Sequence, residues 1–210
     1  MDGRTRIKVC GMTELVQVRE AVTVGVDALG FIFAPASPRR IEPDQAREII
    51  ATLPPFVDAV GVFVNEDAGV IRDIVQYCGL TTIQLHGDET PEFCRVMPLR
   101  VIKVIRVGGH SVAADLTPYR GSVGAFLLDT FHDKMVGGTG ESFDWQLVDR
   151  LAAPAPVILA GGLSPDNVAA AIARVHPFAV DFNSGLETAP GRKDATLLRR
   201  AVAAVHRADG

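Results

Sequence analysis

Four short stretches of this chain hold groups that could move protons or hold an oxyanion. The run Lys8-Val9-Cys10-Gly11-Met12-Thr13 brings one thiol to the end of an apolar segment, and Leu127-Leu128-Asp129-Thr130 brings one carboxylate to the end of another. Ala160-Gly161-Gly162-Leu163-Ser164-Pro165 pairs two flexible glycines with a Ser that reads as a helix N-cap and a Pro at the first helical position. Exposed amides and the positive end of a helix dipole are what an oxyanion needs. Asn183-Ser184-Gly185 adds a second glycine turn with a hydroxyl.

Each of these residues has a plainer reading. A lone buried cysteine serves as a small apolar filler as readily as a base or nucleophile. Period-two alternation puts Lys8 and Cys10 on one strand face and Ile7 and Val9 on the other, so if the apolar pair packs outward the thiol points inward, partly exposed. Such a thiol should be alkylated faster than Cys78 or Cys94, which fall in helical stretches. Asp129 shares a face with Leu127 and Ala125; desolvation there favours a protonated, acid-donating carboxyl, whereas the alternative is a cap on the next loop. Asp181, with Ala179 beneath it, could orient a substrate hydroxyl, hold a phosphate loop, or be a structural acceptor. Arg39, in Ser37-Pro38-Arg39-Arg40, could grip a carboxylate with both arms of its fork or be solvated. Gln84 and His86 alternate onto one face, as substrate contacts or as structural groups.

Positioning these groups falls to a regular alternation of elements. Strands read at Ile7–Cys10, Ala28–Phe33, Ala59–Val64, Thr82–Leu85, Val101–Val107, Ala125–Leu128, Val157–Ala160 and Phe178–Phe182. Helices read at 14–24 starting from Thr13, then 43–52, 69–78, 90–96, 112–119, 143–151, 165–175 and 194–206. Eight strand-then-helix units in 210 residues average about 26 residues each, which leaves only short loops. With no GxGxxG after the first strand and no linker to a second domain, the pattern predicts an α/β fold, a single-domain (β/α)8 barrel over residues 1–210. In that fold catalytic groups gather at the C-terminal strand ends and phosphate binds after strands seven and eight. Cys10, His86, Asp129, Gly161-Gly162 and Asp181 all fall at such ends. The stretch Thr130 to Ser142, with Gly137-Gly138-Thr139-Gly140, is long enough to be a lid that moves on binding.

Composition excludes several classes. The chain is 48% hydrophobic with a net charge of -4, which supports a core of ordinary size and argues against nucleic acid as a partner. The longest nearly apolar run, Leu151 to Leu163, is too short to span a bilayer, and Met1 to Arg6 lacks the apolar centre of a signal peptide, so a cytoplasmic protein without membrane partners is expected. Three cysteines without a CxxC suggest neither a disulfide framework nor a thiolate metal site.

Taken with Gly30-Phe31-Ile32-Phe33, Val60-Gly61-Val62-Phe63-Val64-Asn65, Gln84-Leu85-His86-Gly87, Phe143-Asp144-Trp145 and Val180-Asp181-Phe182-Asn183-Ser184-Gly185-Leu186-Glu187, these stretches closely resemble the phosphoribosylanthranilate isomerase family of tryptophan biosynthesis, nearly end to end. The resemblance implies Cys10 as general base, Asp129 as general acid and Arg39 as a contact to the anthranilate part. It also implies an Amadori rearrangement of N-(5-phosphoribosyl)anthranilate that needs neither metal nor redox cofactor. Gln84, His86 and Asp181 are then expected to touch the substrate, and Gly161, Gly162, Asn183, Ser184 and Gly185 to hold its phosphate. Phe182 and Leu186 stand where the family usually has valine, and Asn183 where it often has serine. A monomer or homodimer is expected. A sugar-phosphate epimerase would want a metal cluster, and the related histidine-pathway isomerase an aspartate at position 10. A catalytically silent scaffold would have no need to keep Cys10 and Asp129 together.

Overall fold

The computed structural model describes residues 3–107, 115–129 and 153–210. Eight parallel strands close into a barrel in chain order: β1 (Arg6–Cys10), β2 (Ala28–Ile32), β3 (Asp58–Phe63), β4 (Thr82–Leu85), β5 (Arg100–Arg106), β6 (Ala125–Asp129), β7 (Val157–Ala160) and β8 (Ala179–Phe182), with β8 pairing back onto β1. The expected strand bounds hold to within a residue. Buried on both faces, these strands are apolar almost throughout. Inward-facing Val60, Ile102, Val104, Leu127, Ile158 and Ala179 fill the barrel, while Ile7, Val9, Leu29, Phe31, Phe63, Ile83 and Leu159 pack outward beneath the helices.

Among the described residues the helices are α1 (Leu15–Thr23), α2 (Pro43–Ile50), α3 (Ala68–Cys78), α4 (Pro91–Arg95), α5 (Val168–Val175) and α6 (Ala195–Asp209). Their ends follow capping chemistry. The Asp67 carboxylate accepts from the Gly69 and Val70 amides, Gly79 closes α3 in the left-handed region, and Asp194 accepts from Thr196 and Leu197 at 2.8 Å each.

Two helix starts differ from expectation because the presumed caps are used elsewhere. The Thr13 hydroxyl donates to the Gly191 carbonyl at 2.9 Å, and α1 begins at Leu15 without a side-chain cap. The Ser164 hydroxyl accepts from the Asp166 amide at 3.3 Å, but it caps only a turn over residues 164–167, in which Asn167 accepts from the Ser164 amide at 2.8 Å and donates to the Gly162 carbonyl at 3.0 Å, and the helix is delayed to Val168. Of the helix expected over 112–119, the described part is a 3-10 turn, Thr117–Tyr119. The helix at 143–151 and the lid from Thr130 to Ser142 lie outside the described residues. A 3-10 turn (Ser184–Leu186) and a hairpin of β9 (Glu187–Ala189) with β10 (Arg192–Lys193) occupy the connection from β8 to α6, which the alternation alone does not foretell.

A buried ion pair pins the loops at the C-terminal ends of β3 and β4. From the outward face of β5, Lys103 Nζ donates to Glu89 Oε2 at 3.0 Å and to the Gly87 carbonyl at 2.7 Å, and Glu89 in turn accepts from the Asn65 and Gly87 amides. Removing one member of such a pair leaves an uncompensated buried charge, at a cost of about 3–5 kcal/mol. Lys103→Met is therefore expected to lower the melting temperature by roughly 6–20 °C for a chain of this size. A thermal scan that moved by less than about 2 °C would mean the pair is dispensable.

Candidate functional site

The eleven side chains and glycines singled out in the sequence converge on one cavity of about 470 Å³ at the C-terminal mouth of the barrel. Cys10, Arg39, Gln84, His86, Asp129, Gly161, Gly162, Asp181, Asn183, Ser184 and Gly185 all line it. A second depression of about 600 Å³ lies on the outer surface between α2 and α3, where Arg47 stacks on Tyr77. Among the described residues, no cluster of His, Cys, Asp and Glu could hold a metal ion.

Cys10 comes to the mouth because its strand partner is glycine. Cys10 and Gly30 are register partners on β1 and β2, and a Cβ at position 30 would sit 2.6 Å from the sulfur. The thiol is not partly exposed, as expected, but only 4% exposed, as buried as Cys78 and Cys94. What separates it from those two is the cavity it faces. Burial pushes its titration up, against the opposing charges of Lys8 and Lys193, while Asp181 adds to the rise.

On the far wall, Asp129 ends β6, and its Oδ2 lies 3.5 Å from His86 Nε2 at the end of β4. Both are about a quarter exposed, so they face open space in the mouth. Gln84 is buried with its Oε1 unpartnered among the described residues, and the same holds for Asp181 Oδ1. Two unsatisfied acceptors lining one cavity are the groups a hydroxyl-bearing ligand would satisfy.

The glycine turns form the third wall. Gly161 and Gly162 have φ of +89° and +68°, and a Cβ at Gly185 would run into the Leu163 carbonyl oxygen at 2.0 Å. The two turns are thus in backbone contact, and the amides of Gly162, Ser184 and Gly185 are given to no other described residue. This cradle depends on backbone amides rather than on a helix start, since α5 begins only at Val168.

Arg39, expected to be open to a carboxylate, already has one. Its Nε and Nη2 donate to Glu187 at 2.9 and 2.7 Å, and Lys193 Nζ donates to the same carboxylate at 2.6 Å and to Asn183 Oδ1 at 2.9 Å. Nη1 of Arg39 has no partner among the described residues. Glu187 and Lys193 are charged groups at the site that local sequence signals do not single out. Lys8 is a further charged group there: its Nζ donates to Asp181 Oδ2 at 2.7 Å beneath Cys10. For Lys8 the signal was present: a charge on the inward face of a barrel strand demands a partner.

Residues 7–204 match the family model of N-(5'phosphoribosyl)anthranilate (PRA) isomerase. The chain belongs to this family. The N-(5'-phosphoribosyl)anthranilate isomerase of Pelobacter propionicus is 48% identical over 197 residues, 94% of this chain and 93% of that one. A phosphoribosyl anthranilate isomerase from Thermotoga maritima, which another structure describes as dimeric, superposes with a TM-score of 0.85 at 40% identity over 97% of this chain and 99% of its own. A PRA isomerase in complex with reduced 1-(o-carboxyphenylamino)-1-deoxyribulose 5-phosphate superposes with a TM-score of 0.82 at 39% identity, over 97% of this chain and 99% of its own.

The Glu187 network has a pH signature. Burial pushes the Glu187 carboxyl up, but the hydrogen bonds from Arg39 and Lys193 outweigh it and hold the group below the ordinary carboxylate value. A depressed folded value contributes stability that is present above the unfolded value, about 4.3, and is lost as pH falls through the folded one. Glu187→Gln should therefore melt below the parent at pH 7, with the gap closing below about pH 4. Melting curves that stayed the same distance apart down to pH 3 would show that the network's charge contributes nothing.

Proposed function

We propose that the barrel mouth isomerises N-(5'-phosphoribosyl)anthranilate to 1-(2-carboxyphenylamino)-1-deoxyribulose 5-phosphate, with Cys10 as general base and Asp129 as general acid. The observation that carries this reading is the sharing of one cavity by a thiol, a carboxylate on the opposite wall and two abutting glycine turns. In order, Asp129 gives its proton to the furanose ring oxygen, and the C1–O bond breaks as the anilino nitrogen supplies the electron pair for an iminium. Cys10 thiolate then removes the C2 proton; the C–H pair forms the C1=C2 bond and neutralises the nitrogen. The enolamine tautomerises to the ketone. Protons alone are transferred, and opposite walls let acid and base reach different parts of one sugar.

Binding roles follow from position. The phosphate dianion takes the amides of the turns at Gly161-Gly162 and Asn183-Ser184-Gly185. The anthranilate carboxylate takes the remaining arm of Arg39, at the edge of the cavity formed by Ser37 and Ala34. Asp181 Oδ1 and Gln84 Oε1 accept from ribose hydroxyls, and His86 faces Asp129 across the mouth. No described helix is long and apolar enough to cross a membrane, and the protein acts in the cytoplasm as a monomer or homodimer.

Purified protein mixed with phosphoribosylanthranilate should quench the anthranilate fluorescence; no turnover above background would contradict the reading. Cys10→Ala and Asp129→Asn should each lower kcat by about 10²–10⁴-fold or more with little change in KM, since each removes a proton-transfer group and leaves the phosphate cradle intact. Either variant turning over within a factor of about three of the parent would remove that residue from the mechanism.

A further inference from the structure

A base buried to this degree needs a reason to be ionised. The charged and titratable groups facing Cys10 are Lys8 from its own strand, Asp181 from β8, Lys193 from β10, Arg39 from the loop after β2, and Asp129 with His86 across the mouth. Asp181 and Asp129 carry the wrong sign to help a thiolate. Lys193 carries the right sign and favours the thiolate less than Lys8 does, while Arg39 gives its hydrogen bonds to Glu187. Lys8, two residues before Cys10 on the same strand face, is the cation that acts most strongly in favour of the thiolate.

Lys8 is fixed in place by barrel closure. Lys8 and Asp181 are register partners across the β1–β8 seam, their charged groups 2.7 Å apart with side chains 3% and 6% exposed. A lysine so buried would shed its proton if it were alone. Burial does push it down, but Asp181 and Cys10 outweigh that and hold it charged.

We propose that Lys8 is the positioning residue that makes Cys10 a base: Asp181 holds its ammonium charged, and the ammonium serves as the thiolate's counter-ion inside the barrel. This rests on the reading of Cys10 as the general base. In the proton-transfer step Lys8 neither gives nor takes a proton. The C2 proton goes to the sulfur, the C–H pair goes into C1=C2, and the ammonium remains paired with Asp181 as the negative charge on sulfur disappears.

The test is the pH dependence of iodoacetamide alkylation at Cys10, resolved from Cys78 and Cys94 by peptide mass spectrometry, beside the pH profile of kcat/KM. In Lys8→Met the alkylation midpoint should rise by about 1–3 pH units. The ascending limb of kcat/KM should move with it, so that activity lost at neutral pH returns at high pH. If Lys8→Met does not fold, Lys8→Met with Asp181→Asn leaves no unpaired buried charge, and its midpoint should still lie above the parent's. Unmoved midpoints, or an activity loss equal at every pH, would reduce Lys8 to a structural residue. Cys10→Ala separates the two readings. If it is inactive while the Lys8 variants keep the parental midpoint, only the Lys8 proposal fails; if it keeps its activity, the base assignment fails and the Lys8 proposal with it.

Discussion

The seam where β8 closes onto β1 is the constraint on which the rest of the site depends. Strands brought together there place Lys8 against Asp181 in an interior whose apolar filling is Val, Ile, Leu and Ala. Two charges taken out of water are costly, and an apolar pair of similar volume is often at least as stable. A buried pair at this point is therefore better explained by what stands above it. Two residues beyond Lys8 is Cys10, and two beyond Asp181 the Asn183-Ser184-Gly185 turn begins. One hydrogen-bonded seam thus fixes the thiol, the cation that acts on it most strongly and half of the anion cradle relative to one another.

From this seam the site extends in both directions. Toward β2, Gly30 gives the sulfur its space, and the following loop brings Arg39. Toward β7 and β6, the Gly161-Gly162 turn abuts Gly185, and Asp129 closes the far wall. The hairpin after β8 ties the two directions together, because Glu187 holds Arg39 on one side and Lys193, with Asn183, on the other. A bound carboxylate at the free arm of Arg39 and a phosphate at Asn183-Ser184-Gly185 would then be sensed by the same anchor.

The fold was largely legible because the barrel strands are short apolar runs, most of which stop at or within a residue of a polar or glycine residue. That rule alone puts Cys10, His86, Asp129, Gly161 and Asp181 on one face, and all of them line the cavity. What could not be read were bonds between residues far apart in sequence. Lys8 and Asp181 are 173 positions apart, and Arg39 and Glu187 are 148 apart. Nothing local marks Glu187 as the partner of a loop arginine. Local signals also misled over which turn a cap serves: the Ser164 hydroxyl accepts from the Asp166 amide, but it caps the 164–167 turn and not α5. The hairpin of β9 and β10 escaped notice because such short strands carry no period of their own.

The most direct measurement is a crystal structure of this protein with the reduced product analogue bound. The phosphate should lie on the amides of Gly162, Ser184 and Gly185, the benzoate carboxylate on Arg39, and the C2 carbon about 3.5 Å from Cys10 Sγ, close enough for proton transfer. A phosphate bound away from β7 and β8, or a sugar whose C2 lies beyond reach of the sulfur, would contradict the proposed mechanism.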